Sequence, residues 1–332
     1  MKQPRVAIVG ATGAVGQELL RVFEERDFDV SSLKLLASAR SAGRTLRFRG
    51  EDHQVEAVAA DAFRGVDVAF FSAGGDTAAA LAPLAVDAGC VVIDNSSAFR
   101  MQADVPLVVP EVNADALRSH QGIVANPNCS TIILVLALQP LESAAGLEAV
   151  VVSTYQAASG AGQRAMDEMF HATRAVLDGL EPPAPSALAQ TLAFNVFPHV
   201  DEFMSDGYTR EEDKLLHEVR KILGKPALAV DATCVRVPVA RCHSESVSVR
   251  LSRPLSVEDA RAAFAAAPGL VLDDEPASVG YPTPLTYAHR DACGVGRVRA
   301  GRVWEPGLSF WVVGDQLRKG AALNAVQIAE TL

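Results

Sequence analysis

Short apolar runs alternate with helical stretches over the first third of the chain. The predicted strands are Val6–Gly10, Leu33–Ala37, Val68–Ser72, Cys90–Asp94, Leu107–Val109 and Ile123–Ala125. A helix is predicted after the first strand, from about Val15 to Glu25. Continuously apolar runs are typical of parallel strands that are covered on both faces. The pattern therefore predicts an α/β fold with a Rossmann-like, doubly wound parallel sheet.

From Glu148 onward the pattern changes to longer strands, several of which alternate apolar and polar positions. The predicted strands are Glu148–Tyr155, Val230–Val239, Glu245–Ser252, Gly296–Trp304 and Leu308–Val313, and the predicted helices are Arg164–Leu177, Arg210–Ile222 and an amphipathic Gln316–Thr331. Alternation indicates a sheet with one face on the core and one face open to solvent or a partner. The second part is therefore predicted to be an α+β domain.

These patterns predict two domains. The first is residues 1–129, completed by a C-terminal helix at 315–332, and the second is residues 130–314. The most apolar run, Ile132–Leu138, has the length of a buried helix segment and falls far short of the roughly 20 residues that span a membrane. The apolar run near the start, Val6–Val9, is too short for a signal peptide. We expect a cytoplasmic protein.

Composition narrows the classes of function. The net charge of −10 argues against a nucleic-acid partner, because phosphate binding needs a basic surface. The five cysteines are odd in number, well separated and without a CxxC pair, so neither a disulfide framework nor a zinc site is predicted. No metal is expected, and any one of the cysteines could be a reactive thiol.

A glycine-rich loop, Gly10-Ala-Thr12-Gly13-Ala14-Val15-Gly16, lies between the first strand and the first helix. Glycines at such a turn let the backbone approach a pyrophosphate at the N-terminus of a helix. The spacing is GxxGxxG rather than GxGxxG, and a structural turn without a ligand is the alternative. We predict a dinucleotide-binding loop.

The end of the second strand favours NADP over NAD. NAD-binding domains usually carry an acidic residue there, about 20 residues after the glycine loop. This chain has no carboxylate in that segment, and Ser38, Arg40 and Ser41 would suit a 2′-phosphate. A surface loop with arginines is the alternative. Ser72 and Gly74, after the third strand, are predicted to lie on the nicotinamide side.

Cys129 is the candidate nucleophile. It follows Asn126-Pro-Asn128 and precedes the apolar run at 132–138, so we predict that it lies in the first turn of a helix. Unpaired backbone N–H groups at that position favour a thiolate and could stabilise an oxyanion. The other four cysteines are interpreted as core residues.

Two further segments carry candidate polar groups. Arg236 and His243 lie at the two ends of a strand-to-loop segment, where an arginine could bind a carboxylate and a histidine could exchange protons. Asn95 and Arg100 follow the fourth strand, at the edge where ligands gather in parallel sheets, and could hold a phosphate. A structural histidine and an exposed loop arginine are the alternatives.

Taken together, these motifs resemble the aspartate-semialdehyde dehydrogenase family over nearly the whole chain. The matching segments are the glycine loop, residues 126–131 around Cys129, residues 154–160, residues 236–245, and the tail from Leu317. The resemblance implies a Cys129 nucleophile, a His243 proton acceptor, Gln156 in both catalysis and substrate binding, and Arg236 on the substrate α-carboxylate. It places Glu211 near the substrate amine, and Arg100 and Lys214 at the phosphate. It assigns NADP contacts to Thr12–Val15, Arg40, Ser41, Ser159, Gly160 and Gln316.

The family reaction is reduction of L-β-aspartyl phosphate by NADPH, through a thioester, to aspartate semialdehyde and phosphate. It serves lysine, threonine, methionine and diaminopimelate biosynthesis, and the resemblance implies a homodimer. N-acetylglutamyl-phosphate reductase is the nearest alternative, since it shares the chemistry but its substrate lacks a free amine. A non-catalytic NADP-binding protein is the other alternative, yet Cys129, Gln156 and His243 are all present.

Overall fold

The computed structural model describes residues 3–332, which form two compact units. The first unit contains the described residues up to Asn128 together with Ala321–Leu332, and the second contains Cys129–Gly320. No helix in the described part of the chain combines the length and apolar character needed to cross a membrane.

A mostly parallel sheet forms the centre of the first unit. Its strands are β1 (Arg5–Val9), β2 (Ser32–Ala37), β3 (Thr45–Phe48), β4 (Glu51–Ala57), β5 (Val68–Phe71), β6 (Val91–Asp94) and β7 (Ile123–Ala125). Their order is β3-β4-β2-β1-β5-β6-β7, and only the β3–β4 pair is antiparallel. The helices of this unit are α1 (Ala14–Glu25), α2 (Gly75–Asp87), α3 (Pro110–Asn113) and, from the end of the chain, α9 (Leu323–Thr331). The strand order reverses between β1 and β5, as in doubly wound folds, so the predicted Rossmann-like class is confirmed.

Two features of the first unit differ from the prediction. The predicted strand at Leu107–Val109 is wrong, because Leu107 makes only an isolated bridge to Ala125 and Pro110 begins α3 immediately afterwards. The hairpin of β3 and β4 was not predicted. Its two-residue turn has positive φ at both Arg49 and Gly50, and on β4 only Val55 is buried, so the sequence lacks an apolar alternation.

The second unit contains a mixed sheet. Its strands are β8 (Leu147–Gln156), β9 (Ala229–Arg236), β10 (His243–Leu251), β11 (Leu270–Leu272), β12 (Cys293–Ala300) and β13 (Gly307–Gly314), in the order β11-β12-β13-β10-β8-β9. The helices are α4 (Cys129–Ala145), α5 (Gln163–Leu177), α6 (Arg210–Ile222), α7 (Val257–Ala266) and α8 (Pro284–Tyr287). Along β10, Val247, Val249 and Leu251 are buried while the residues between them are at least partly exposed. This confirms the predicted α+β domain with one open sheet face.

The end of the chain also departs from the prediction. The helix was predicted to start at Gln316 and to be amphipathic. Instead, a π-helical turn at Arg318–Ala322 precedes α9, and residues 316–326 are all buried. The amphipathic interpretation therefore fails for residues 316–326, where polar and apolar residues alike are buried, while Gln327, Glu330 and Thr331 of α9 are at least partly exposed.

Candidate active site

The glycine loop of the first unit approaches neighbouring backbone too closely for side chains. A Cβ on Gly10, whose φ is +88°, would lie 2.6 Å from the carbonyl oxygen of Ser72, and one on Gly16 would lie 2.4 Å from that of Gly10. Gly13 is the N-cap of α1 and supplies no side-chain hydrogen bond to the helix. The first N–H groups of α1 therefore face the loop at the strand-order reversal, where an anionic group can approach them.

The turn after β2 presents Arg40. The backbone N–H groups of Ser41 and Ala42 donate to the carbonyl of Ser38 at 2.8 and 3.1 Å, which closes a tight turn, and Arg40 is exposed on it. After β5, Ser72 donates its hydroxyl to the carbonyl of Val9 at 3.2 Å. Gly74 has φ +82° and immediately precedes α2. The predicted cofactor residues of this unit lie on the loops after β1, β2 and β5 or at the start of α1; they are Gly10, Thr12, Gly13, Ala14, Val15, Ser38, Arg40, Ser41, Ser72 and Gly74.

Arg100 is buried, not the exposed loop arginine that was the alternative. Only 8% of the residue is accessible. Its Nε donates to the backbone carbonyl of Asn126 at 3.0 Å, and its Nη2 donates to that of Asn95 at 2.7 Å. A buried guanidinium held by two carbonyls keeps a fixed orientation.

In the second unit, three predicted site residues lie at one end of neighbouring strands. Gln156 at the end of β8 is paired in register with Arg236 at the end of β9. His243 begins β10, whose next residue, Ser244, is paired with Tyr155 of β8. Parallel and antiparallel pairing together thus bring residues 156, 236 and 243 to the same edge, although they are far apart in sequence.

His243 is fully buried, and its two ring nitrogens have different surroundings. Nδ1 accepts from the backbone N–H of Ala157 at 3.1 Å, while Nε2 has no hydrogen-bond partner among the described residues. Burial, followed by the nearby charge of Arg236, lowers the pKa of His243 to about 3. The ring is therefore neutral at pH 7, and with Nδ1 accepting, its proton lies on Nε2.

Arg236 lies beside His243 under a glycine. Its Nη1 donates to the carbonyl of Ala157 at 2.7 Å. Burial lowers the pKa of Arg236, and the nearby Glu211 and Cys129 act in the opposite direction. A Cβ on Gly160 would lie 3.0 Å from Cε1 of His243 and 3.2 Å from Nη1 of Arg236. Glycine at 160 therefore leaves room for both side chains.

A polar chain links Gln156 to helix α6. Gln156 Nε2 donates to Glu211 Oε1 at 3.2 Å, and Lys214 Nζ donates to Glu211 Oε2 at 3.1 Å. Lys214 also forms an ion pair with Asp201 at 2.6 Å. Burial acts to lower the pKa of Lys214, but Glu211 and Asp201 outweigh it and the pKa is raised. The pair of Lys214 with Asp201 was not predicted, because no local pattern joins a loop carboxylate to a helix residue.

Cys129 is the first residue of α4, as predicted, and it is the only one of the five cysteines that is not buried. A Cβ on Gly320 would lie 3.0 Å from the Cβ of Cys129, so a glycine packs directly against it. Burial raises the pKa of the Cys90 thiol to about 11 and also raises the pKa of Cys234 and Cys242. The structure thus separates one partly exposed cysteine at a helix start from thiols held protonated in the core.

Ser159 and Gln316, both predicted to contact the cofactor, are bonded to each other. Gln316 Nε2 donates to the Ser159 hydroxyl, and Gln316 Oε1 accepts from the backbone N–H of Cys242 at 2.8 Å. Both residues are buried. Gln316, just after β13, therefore links the segment that follows β8 to the residue immediately before β10.

Glu245 is a buried carboxyl group that the sequence interpretation did not single out. It is fully inaccessible, and neither of its oxygens has a hydrogen-bond partner among residues 3–332. Burial raises its pKa well above the usual value. The signal for it was the alternation along β10, which places Glu245 on the same face as His243 and Val247.

We expect Glu245→Gln to stabilise the protein at pH 8. Above the usual pKa of a glutamate, the unfolded chain releases a proton that the folded chain retains, so rising pH favours unfolding. Glutamine removes this proton difference, and the gain in melting temperature should shrink to nothing towards pH 4. The measurement is thermal unfolding from pH 4 to pH 8, with Glu148→Gln on the exposed part of β8 as the control. A gain that is the same at every pH would contradict a protonated Glu245.

Two family models match the two parts of the chain. The model described as "Semialdehyde dehydrogenase, NAD binding domain" matches residues 5–120, and "Semialdehyde dehydrogenase, dimerisation domain" matches residues 138–319. The two matches place the chain in the semialdehyde dehydrogenase class, in agreement with its fold.

Individual proteins give a narrower assignment. Aspartate-semialdehyde dehydrogenase of Aquifex aeolicus is 52% identical over 331 residues, which cover 99% of this chain and 97% of the relative. The crystal structure of aspartate semialdehyde dehydrogenase II from Vibrio cholerae complexed with ASA is 44% identical with a TM-score of 0.97, covering 100% of this chain and 98% of that one. The Candida albicans enzyme with NADP is 26% identical with a TM-score of 0.78, covering 100% and 98%. The chain belongs to the aspartate-semialdehyde dehydrogenase family, which confirms the family predicted from the sequence.

Proposed function

We propose that this protein reduces L-β-aspartyl phosphate to L-aspartate 4-semialdehyde and phosphate, with NADPH as reductant and a thioester on Cys129. The observation that carries the proposal lies in the second unit, which holds a partly exposed cysteine at a helix start and, at one end of neighbouring strands, Gln156, Arg236 and His243. The names of the relatives support the substrate.

The first chemical step uses Cys129. Its thiolate attacks the acyl carbon, the sulfur–carbon bond forms, and the bond to phosphate breaks. Backbone N–H groups at the start of α4 stabilise the oxyanion of the tetrahedral intermediate. When bound, NADPH supplies the hydride that reduces the thioester carbonyl. The sulfur–carbon bond then breaks, which releases the aldehyde and restores the thiolate.

We propose that His243 exchanges protons through Nε2. In the tautomer with Nδ1 accepting from Ala157, the Nε2–H is a hydrogen-bond donor that can stabilise negative charge on the reacting oxygen. Accepting the thiol proton at Nε2 requires the other tautomer, so the ring must turn its Nδ1 away from the Ala157 N–H. The neutral ring maintained by the lowered pKa is the form that can accept a proton.

The polar residues around the sheet edge suit an amino-acid substrate. Arg236, held by the Ala157 carbonyl, is proposed to bind the α-carboxylate, and Glu211 to bind the amine. Gln156, which already donates to Glu211, is proposed to orient the acyl group. A carboxylate for the amine favours the aspartyl substrate over an N-acetylated one.

We propose that the phosphate group is bound by Arg100, Lys214 and Asn95. The buried, oriented guanidinium of Arg100 and the charged Lys214, whose pKa is raised, suit a dianion. These assignments rest on the family resemblance together with the surroundings of each side chain.

The cofactor is proposed to be NADP(H), bound by Gly10, Thr12–Val15, the 38–41 turn, Ser72, Gly74, Ser159, Gly160 and Gln316. The closely packed glycines and the uncapped start of α1 fit a pyrophosphate.

We expect Arg40→Asp to raise the KM for NADP by about tenfold or more, the effect of losing a charged hydrogen bond, and to leave the KM for NAD little changed. Steady-state kinetics with both cofactors measures this, with Arg47→Asp on exposed β3 as the matched control. Equal effects on both cofactors would contradict 2′-phosphate binding by Arg40.

We further propose a cytoplasmic homodimer that serves lysine, threonine, methionine and diaminopimelate biosynthesis. The open face of the second sheet supports the dimer, since it exposes Val151 of β8 beside Ser246 and Ser248 of β10, and the matching model is that of a dimerisation domain.

The function is tested by phosphate-dependent reduction of NADP with two aldehydes. We expect turnover with aspartate semialdehyde that requires phosphate, and little with N-acetylglutamate semialdehyde. The reverse preference would reject the substrate and retain the chemistry. If the protein binds NADP but reduces it with neither aldehyde, a non-catalytic protein would be favoured.

A further inference from the structure

Three asparagine side chains form a continuous hydrogen-bonded chain inside the first unit, here called the asparagine chain. Asn324 of α9 donates from Nδ2 to Asn126 Oδ1 at 2.6 Å. Asn126 donates from its own Nδ2 to Asn95 Oδ1 at 2.9 Å. Asn95 then donates to the carbonyl of Phe71, at the end of β5, at 3.0 Å. The chain thus runs from the last helix to the carboxyl end of β5, a central strand of the sheet.

The asparagine chain ends on the groups that orient Arg100. Two backbone carbonyls that accept from the Arg100 guanidinium belong to Asn126 and Asn95. The side chains of these same two residues are the ones joined at 2.9 Å. Any shift of Asn126 relative to Asn95 would therefore move one of the two anchors and turn the guanidinium plane.

Asn324 is the far end of this arrangement. It is fully buried, as is Asn126, and Asn324 Nδ2 also donates to the carbonyl of Val108 at 2.9 Å. Buried amides depend on such partners, because water cannot replace them. Asn324 is the partner of Asn126 Oδ1, while Asn126 Nδ2 also donates to the carbonyl of Ala321 at 3.3 Å. Asn324 therefore helps to hold the Asn126 amide, and through it the spacing of the Arg100 anchors.

We propose that Asn324 is a positioning residue for phosphate, acting through Asn126 and Asn95 on Arg100. The proposal rests on the function proposed above, in which Arg100 binds the phosphate group. It predicts a selective effect: removal of the Asn324 amide weakens phosphate binding and spares the aldehyde and the cofactor.

The test compares Asn324→Ala with a matched control, Asn113→Ala. Asn113 also anchors the 107–109 segment, since its side chain accepts from the N–H of Val109 and donates to the carbonyl of Leu107. These two hydrogen bonds involve neither Asn126 nor Arg100. We expect Asn324→Ala to raise the KM for phosphate by about tenfold, the scale of one buried hydrogen bond. The KM for the aldehyde and the Kd for NADP should stay within about twofold, and Asn113→Ala should leave all three unchanged.

A second variant and a second measurement are added to this test. Asn324→Ser, whose hydroxyl can still serve the Val108 carbonyl, replaces the alanine variant if that variant does not fold. The Kd of inorganic phosphate, measured by calorimetry, tests the inference without turnover. If the wild type binds phosphate but does not turn over, the proposed function fails while the Kd ratio still decides the role of Asn324. Three results would each overturn the proposal. Asn324→Ala could weaken the binding of phosphate, aldehyde and NADP equally, it could leave the phosphate affinity unchanged, or the wild type could bind no phosphate.

Discussion

Replacing Cys129 with alanine is expected to lower kcat by roughly 10⁴-fold or more, because the nucleophile that forms the covalent intermediate is lost. Cys129 begins α4 and is the one cysteine among residues 3–332 that is not buried. The measurement is kcat for phosphate-dependent NADP reduction, with NADP binding checked separately to show that the first unit is intact.

Cys90→Ala is the control for the loss of a thiol. Cys90 is buried in the first unit, its Sγ contacts the carbonyls of Phe63 and Val66, and its pKa is raised to about 11. We expect this variant to retain activity within a few-fold. A Cys129→Ala enzyme with more than about a tenth of the wild-type kcat would mean that Cys129 is not the nucleophile, since loss of a nucleophile costs far more.

Replacing His243 with glutamine is expected to lower kcat by about 10²- to 10⁴-fold, the usual contribution of a proton-exchanging side chain. Glutamine is also planar and polar but does not exchange protons near pH 7. Because Arg236 rather than His243 is proposed to bind the carboxylate, the KM for the aldehyde should change little. Steady-state kinetics across pH 6–9 separates the two parameters.

His217→Gln provides the matched comparison. His217 lies on the exposed side of α6, where its Nε2 is 3.2 Å from Asp213. We expect its replacement to leave both parameters unchanged. If His243→Gln raised KM and left kcat alone, His243 would be a substrate-binding residue and not a proton-exchanging one.

The sequence predicted those parts of the fold whose burial follows a simple period. Continuous apolar runs located β1, β2, β5 and β6, and alternation located β10. The β3–β4 hairpin was missed because it is largely exposed. Helix α9 lies within the predicted helix 316–331, but it begins only at Leu323, after the π-helical turn at Arg318–Ala322. Helix α7 and strand β11 were also missed.

The sequence was sufficient to name the candidate site residues, but not to predict how they are arranged in space. Cys129 at a helix start and the glycine loop have local signatures, since caps and tight turns depend on neighbouring residues. The burial of His243 and Arg100, the Lys214–Asp201 pair and the lone carboxyl of Glu245 depend on segments distant in sequence. Such contacts join residues that are far apart in sequence, so they cannot be read from the local pattern of one sequence.

Intact-protein mass spectrometry would detect the proposed acyl-enzyme on Cys129. Purified protein would be mixed with L-β-aspartyl phosphate without NADPH, quenched in acid within seconds and then digested for peptide mapping. We predict a mass increase of one aspartyl group, located on the peptide that contains Cys129 and absent from Cys129→Ala. An enzyme that turns over the same substrate but carries no acyl group, or carries it on another residue, would contradict the proposed mechanism.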